Sequence, residues 1–104
     1  MISDTRQSTL TADGRFREGH TGSGPFIGRA RVHGVTARHD GTSAAGVIKL
    51  HDGTDATGTV VYHGRFGNAV GDMLDQYIPG EGLRFKVGIY VDLTNCTSVE
   101  ILYS

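Results

Sequence analysis

Between Gly82 and Thr94, and again between Ser98 and Tyr103, apolar and polar residues alternate almost one for one. That period of two is the signature of strands with one buried and one wet face. No catalytic group or ligand set interrupts it. Two such runs packed against the rest of the chain predict an all-β fold.

Turn chemistry supports that reading upstream. Asp13-Gly14, Gly22-Ser23-Gly24-Pro25, Asp40-Gly41, Asp52-Gly53, Gly67-Asn68, Pro79-Gly80 and Thr94-Asn95 each supply a residue tolerant of positive φ or pre-set for a turn. Most intervals between them are near the 8–12 residues of a sandwich or barrel. Strands are expected near 7–12, 15–18, 26–37, 45–51, 57–66, 73–78, 82–87, 88–93 and 98–103. Only 72–77 offers a helical turn, and Pro79 closes that option. The expected fold is a single antiparallel β-sandwich, jelly-roll-like, spanning 26–104.

Residues 1–25 read differently, being polar and rich in Ser, Thr and Gly, with Ile2, Leu10 and Phe16 as their larger apolar anchors. They are expected to form an extended N-terminal arm or edge strand that orders in an assembly. Hydrophobic residues make up 38% of the 104 residues, and 16 positions are Gly. So lean a composition suits a thin sandwich, or a chain that completes its burial against neighbouring subunits.

The net charge of −1 gives no global attraction to nucleic acid or anionic lipid. Residues 1–52 hold seven Arg and Lys against five Asp and Glu, while 53–104 hold three against six. That tilt favours a head-to-tail contact between subunits. Cys96 is the only cysteine, which leaves no intramolecular disulfide and fits a reducing cytoplasm. The first six residues lack the basic and apolar regions of a secretion signal, and no window approaches the length of a membrane span. A soluble chain made inside the cell, with no membrane partner, is the expectation.

Candidate chemistry is sparse. His20, His33, His39, His51 and His63 form no paired ligand spacing, so surface and turn histidines are expected and no metal. The echo His39-Asp40-Gly41-Thr42 and His51-Asp52-Gly53-Thr54 reads as two successive β-turns. Cys96 stands beside Asn95 with nothing to activate it. The stretch 22–28 fails the phosphate-loop spacing and leads into a strand. Asp52 with Asp55 and Asp72 with Asp75 read as solvated turn carboxylates. No catalytic residue, cofactor or metal site is expected.

Strand 26–37 places Gly28, Ala30, Val32 and Gly34 on one face and Arg29, Arg31 and His33 on the other. Strand 82–87 repeats this, with Leu83, Phe85 and Val87 inward and Arg84 and Lys86 outward. If the two share a sheet, its outer face carries a basic patch. Single-strand stacking calls for aromatics among the basic residues, and Phe85 and Tyr90 alternate onto different faces. An acidic protein partner is therefore preferred to nucleic acid.

Three stretches carry a family resemblance: Lys49-Leu50-His51-Asp52-Gly53-Thr54, then Pro79-Gly80-Glu81-Gly82-Leu83-Arg84-Phe85, then Gly88-Ile89-Tyr90-Val91-Asp92-Leu93-Thr94. In this order they resemble a group of small virion proteins of tailed bacteriophages, over roughly residues 45–103. The resemblance implies a β-sandwich that decorates or cements a capsid, commonly as a trimer. The major capsid protein and other copies of the chain are the implied partners, and the virion the implied location. Leu10, Phe16, Arg29, Arg31, Arg84 and Lys86 are the contact residues expected on the arm and the basic face. A neck, tail or fibre position is the first alternative. A carbohydrate-binding module is the second, with Tyr62, Tyr90 and Tyr103 as its candidate platforms, and a small hydrolase is the weakest.

Overall fold

The computed structural model describes residues 6–19, 23–41, 44–67 and 72–104. Residues 1–5 of the expected arm, including Ile2, lie outside the described residues, as do His20, Gly22, Thr42 and Asn68. Each of the nine expected strands is present: β1 (Arg6–Leu10), β2 (Gly14–Arg15), β3 (Ala30–His39), β4 (Gly46–Asp52), β5 (Thr59–Phe66), β6 (Met73–Tyr77), β7 (Leu83–Phe85), β8 (Ile89–Thr94) and β9 (Cys96–Tyr103). No helix occurs among the described residues. All pairings are antiparallel. The first sheet runs β1-β9-β3, with β6 and β7 both on the far side of β3; the second runs β2-β8-β4-β5.

Alternation along these strands turns one face of each sheet inward. Val32, Val35, Phe85, Val99 and Ile101 come from the first sheet and Ile48, Leu50, Ile89 and Val91 from the second, all essentially sealed from solvent. Each such side chain contributes about 1.5–3 kcal/mol on burial. The phase of alternation is not constant along β3. Its pairing with β9 jumps from Val32↔Tyr103 to Gly34↔Leu102, a bulge at His33 that inserts one residue and resets the faces. Ala30 and Val32 point inward before it, and Val35, Ala37 and His39 after it. The β3–β9 pairing shifts again at Arg38/His39, and the β4–β5 pairing shifts at Leu50/His51, where both residues are buried in succession.

The first quarter of the chain is not an appendage where it is described. β1 pairs with β9 from Arg6↔Tyr103 to Leu10↔Val99, and β2 pairs with β8. The Phe16 N–H donates to Ile89 O (2.8 Å) and the Ile27 N–H to Phe16 O (3.0 Å). Phe16, expected as a contact residue of the arm, is fully buried in the core, and half-buried Leu10 packs against it. The expected boundary at residue 25 is corrected accordingly: segments on both sides of it belong to the same two sheets. The polar composition that suggested an arm reflects edge strands, whose outer faces need no apolar residues.

The echoed His-Asp-Gly segments are more than turns. His39 and His51, expected at the surface, are each only 5% exposed. His39 accepts the Gly41 N–H at Nδ1 (2.9 Å) while Nε2 faces Ala44 O (2.7 Å), which assigns the proton to Nε2. His51 places Nδ1 2.9 Å from Gly58 O. In both copies a buried imidazole at a strand end latches the loop that follows.

Asp52 holds the crossing from β7 in one sheet to β8 in the other. Its carboxylate accepts the N–H groups of Lys86 (3.0 Å) and Val87 (2.9 Å), and the neighbouring Gly53 N–H donates to Gly88 O (3.2 Å). Desolvation pushes this carboxyl up, but the donated backbone N–H groups of residues 86–88 and the Lys86 charge outweigh it and hold the pKa below the ordinary value. Val87, expected inward, is instead exposed, because β7 ends at Phe85 and the chain turns away to meet Asp52.

Two outcomes follow. Phe16→Ala lowers unfolding free energy by about 3–5 kcal/mol in urea titrations, the cost of an emptied aromatic core site, whereas a dispensable arm would leave the midpoint unchanged. Asp52→Asn costs about 1 kcal/mol at neutral pH. Because the folded-state pKa is depressed, this contribution is complete above the ordinary carboxylate pKa and fades as pH falls through the lowered value. The wild-type and variant stability curves therefore converge in acid.

Candidate functional site

The turn before β7 builds the site. Gly80 and Gly82 have φ of +72° and +74°, the left-handed region that favours glycine. A Cβ on Gly82 would lie 2.6 Å from Val32 O, so only glycine lets this segment approach β3 so closely. Pairing then runs Ala30↔Phe85, Arg31↔Arg84 and Val32↔Leu83. Ala30, Val32 and Phe85 are buried, and Arg31 and Arg84 stand directly opposite each other on the outer face.

Arg29, Ala30, Arg31, Arg84 and Ser104 line an open depression of about 320 Å³. A smaller hollow of about 150 Å³ shares Arg29, Ala30 and Ser104 and is bounded further by Arg6, Glu18 and Tyr103. The floor is fixed by reciprocal backbone bonds between Arg31 and Ser104 (3.0 and 2.9 Å). The Ser104 hydroxyl is also 2.7 Å from His33 Nε2.

Cation outweighs anion here. Arg31 Nη1 is 3.5 Å from Glu81 Oε1, a loose contact to a side chain that is 86% exposed. Arg6 pairs with Glu18 at 2.9 Å in the adjoining hollow. Among the described residues, Arg29 and Arg84 have no carboxylate within ion-pair range. Like charges directly opposite on paired strands destabilise a sheet, so the Arg31–Arg84 pairing subtracts from stability. Guanidinium forks match the paired oxygens of carboxylate and phosphate groups.

Three of the six expected contact residues thus share one site: Arg29, Arg31 and Arg84. Lys86 lies beyond the end of β7 beside Asp52 and does not line it. Leu10 and Phe16 belong to the core and its margin. Glu81 and Ser104 were not singled out from the sequence. The glycines flanking Glu81 were the available signal, since a residue between two positive-φ positions is held at a defined turn.

The Cys96 thiol lies 3.3 Å from Thr94 O, and desolvation with the nearby Asp40 charge pushes its pKa up, backbone contacts at Val47 and Thr94 only partly offsetting this. That is the opposite of what a nucleophile needs. Of the tyrosines considered as sugar platforms, Tyr103 is buried, and Tyr62 and Tyr90 are half-buried. Tyr77, at 71%, is the exposed one. No group of three or more His, Cys, Asp or Glu able to hold a metal is found among the described residues, nor a helix long and apolar enough to cross a membrane.

Comparison with protein families, curated proteins and solved structures finds no match to this chain.

If the Arg31–Arg84 juxtaposition is a cost, Arg84→Thr stabilises the protein by about 0.5 kcal/mol at low ionic strength. The gain shrinks in high salt as screening removes the repulsion. Paired thermal melts at the two salt concentrations read this directly, and a destabilised variant would refute it.

Proposed function

We propose that this chain is a non-enzymatic structural protein of a tailed-bacteriophage virion, a capsid decoration or cement protein that binds the major capsid protein and associates as a homotrimer. The observation that carries the reading is the open side of the sandwich. β5 and β6 are outer strands of the two sheets, and they lie beside each other. Val60 (47%), Met73 (45%) and Tyr77 (71%) stand exposed along them. Unpaired strand edges bearing apolar groups are a liability in a lone domain and an asset where a neighbouring subunit covers them.

Two further features support it. If β6 and β7 are taken as two halves of one position beside β3, the order becomes four strands facing four, β1-β9-β3-β6/β7 against β2-β8-β4-β5. We read this as a jelly roll, an architecture that viral capsid domains use and that lectins and cupins use as well, so the fold argues by analogy only. The resembling segments 49–54, 79–85 and 88–94 also lie together, the first and third joined by the β4–β8 pairing while Asp52 holds residues 86 and 87, which link the second to the third. In this mechanism the protein bridges capsid subunits mechanically, the β5–β6 side meeting its own copies and the arginine face meeting the shell.

The test is light scattering of the purified protein over a concentration series, followed by its copy number per particle. A stable species of three times the chain mass, present in many copies, supports the cement role. Few copies per particle would move the protein to the neck or tail. A strict monomer that neither binds shells nor occurs in particles overturns the reading.

A further inference from the structure

We propose that the Arg29–Arg31–Arg84 depression is a carboxylate receptor that captures an acidic segment of a partner polypeptide, with Glu81 as its built-in competitor. The inference rests on the arginine face being a contact surface and adds the chemistry of what it contacts. Three arginines line one open depression of about 320 Å³, with room for more than a single carboxylate. Two of the three have no carboxylate partner among the described residues. The third has only Glu81, at 3.5 Å and almost fully solvated. A charge-assisted guanidinium–carboxylate bond is normally much shorter, so Glu81, which does not line the depression, touches Arg31 from outside it without engaging it well. Its position between Gly80 and Gly82 holds it at the rim, where an incoming carboxylate can replace it.

An acidic polypeptide fits better than nucleic acid. Single strands bind by stacking bases on exposed aromatic rings along a basic track. Phe85 and Tyr103, which adjoin the arginines, are buried, and the exposed Phe26 lines neither hollow and already carries Arg17 (3.9 Å) and Arg15 (4.8 Å) over its ring. The cationic zone is one depression flanked by Glu18 and Glu81, on a chain of net charge −1, and a polyphosphate backbone extending beyond it would meet carboxylates. Spaced carboxylate side chains can enter it singly.

The experiment titrates the full chain with oligoglutamate, with oligothymidylate of equal charge, and with inorganic phosphate, by calorimetry at fixed ionic strength. Saturable oligoglutamate binding is expected, weakened at least tenfold in a R29Q/R84Q double variant, since about tenfold is already the scale of a single lost charge-assisted contact. Glu81→Gln should tighten it a few-fold by removing the competitor, a gain that a misfolded protein would not show. Equal or stronger binding of oligothymidylate or phosphate overturns the proposal, as does oligoglutamate affinity indifferent to R29Q/R84Q or to Glu81→Gln. Absence of oligoglutamate binding in a protein that still binds capsid shells overturns this inference and leaves the virion role standing. Binding that passes these tests in a protein that ignores shells supports the receptor and removes the virion role.

Discussion

Everything in this protein depends on closing two sheets over one shared interior. Successive strands change sheet at almost every connection; only β4 and β5 form a hairpin within a sheet, and β6 and β7 both stay beside β3. Neither sheet can therefore be completed from a contiguous stretch of chain. The outer strand β1 pairs with β9, placing Arg6 opposite Tyr103. The entropy of closing such long loops is spent before the core repays it, a topology associated with slow, cooperative folding. It also explains why so lean a sequence places an apolar residue at nearly every inward position, Phe16 and Ile27 included.

Much of this was legible because period-two alternation survives without knowledge of partners. The nine strands, the outward arginines and the inward Phe85 all follow from it. Two misreadings, at Gly34 and Val87, share one cause, since alternation reports a face only relative to its neighbours and is blind to where the phase resets. The bulge at His33 moves the inward set from Gly34 to Val35, and the end of β7 at Phe85 exposes Val87. The burial of Phe16 is hidden in the sequence because its polar surroundings describe an edge strand and an arm equally well. The buried histidines were hidden because local sequence does not show which carbonyl, Ala44 or Gly58, waits to accept the ring N–H.

The arginine site shows how the fold separates stability from recognition. Arg31 and Arg84 are placed by the same β3–β7 register that buries Ala30, Val32 and Phe85. Sliding that register to part the charges by one residue would turn the buried set outward. The inward face therefore enforces the outward repulsion, and Arg31 and Arg84 are held on paired strands, with Arg29 immediately before β3. Such a site is pre-organised: an anionic partner would be met by cations already in place, and its arrival would relieve a repulsion that the fold cannot relax by itself.

The residues that carry the family resemblance do a different job from those that line the site. Asp52 ties down residues 86–88, Gly82 admits β7 to β3, and β8 fills the middle of the second sheet. Any chain building this crossover needs an acceptor at the end of β4, a residue free to take positive φ before β7, and an alternating strand after it. A pattern made of such residues transmits architecture. What distinguishes one user of the architecture from another lies on the outward positions between them, here Glu81 and Arg84 within the second segment, with Arg29 and Arg31 outside all three. Those four side chains and the open β5–β6 side, and not the segments that look most familiar, are therefore the surfaces through which this protein can be told apart from others of the same architecture.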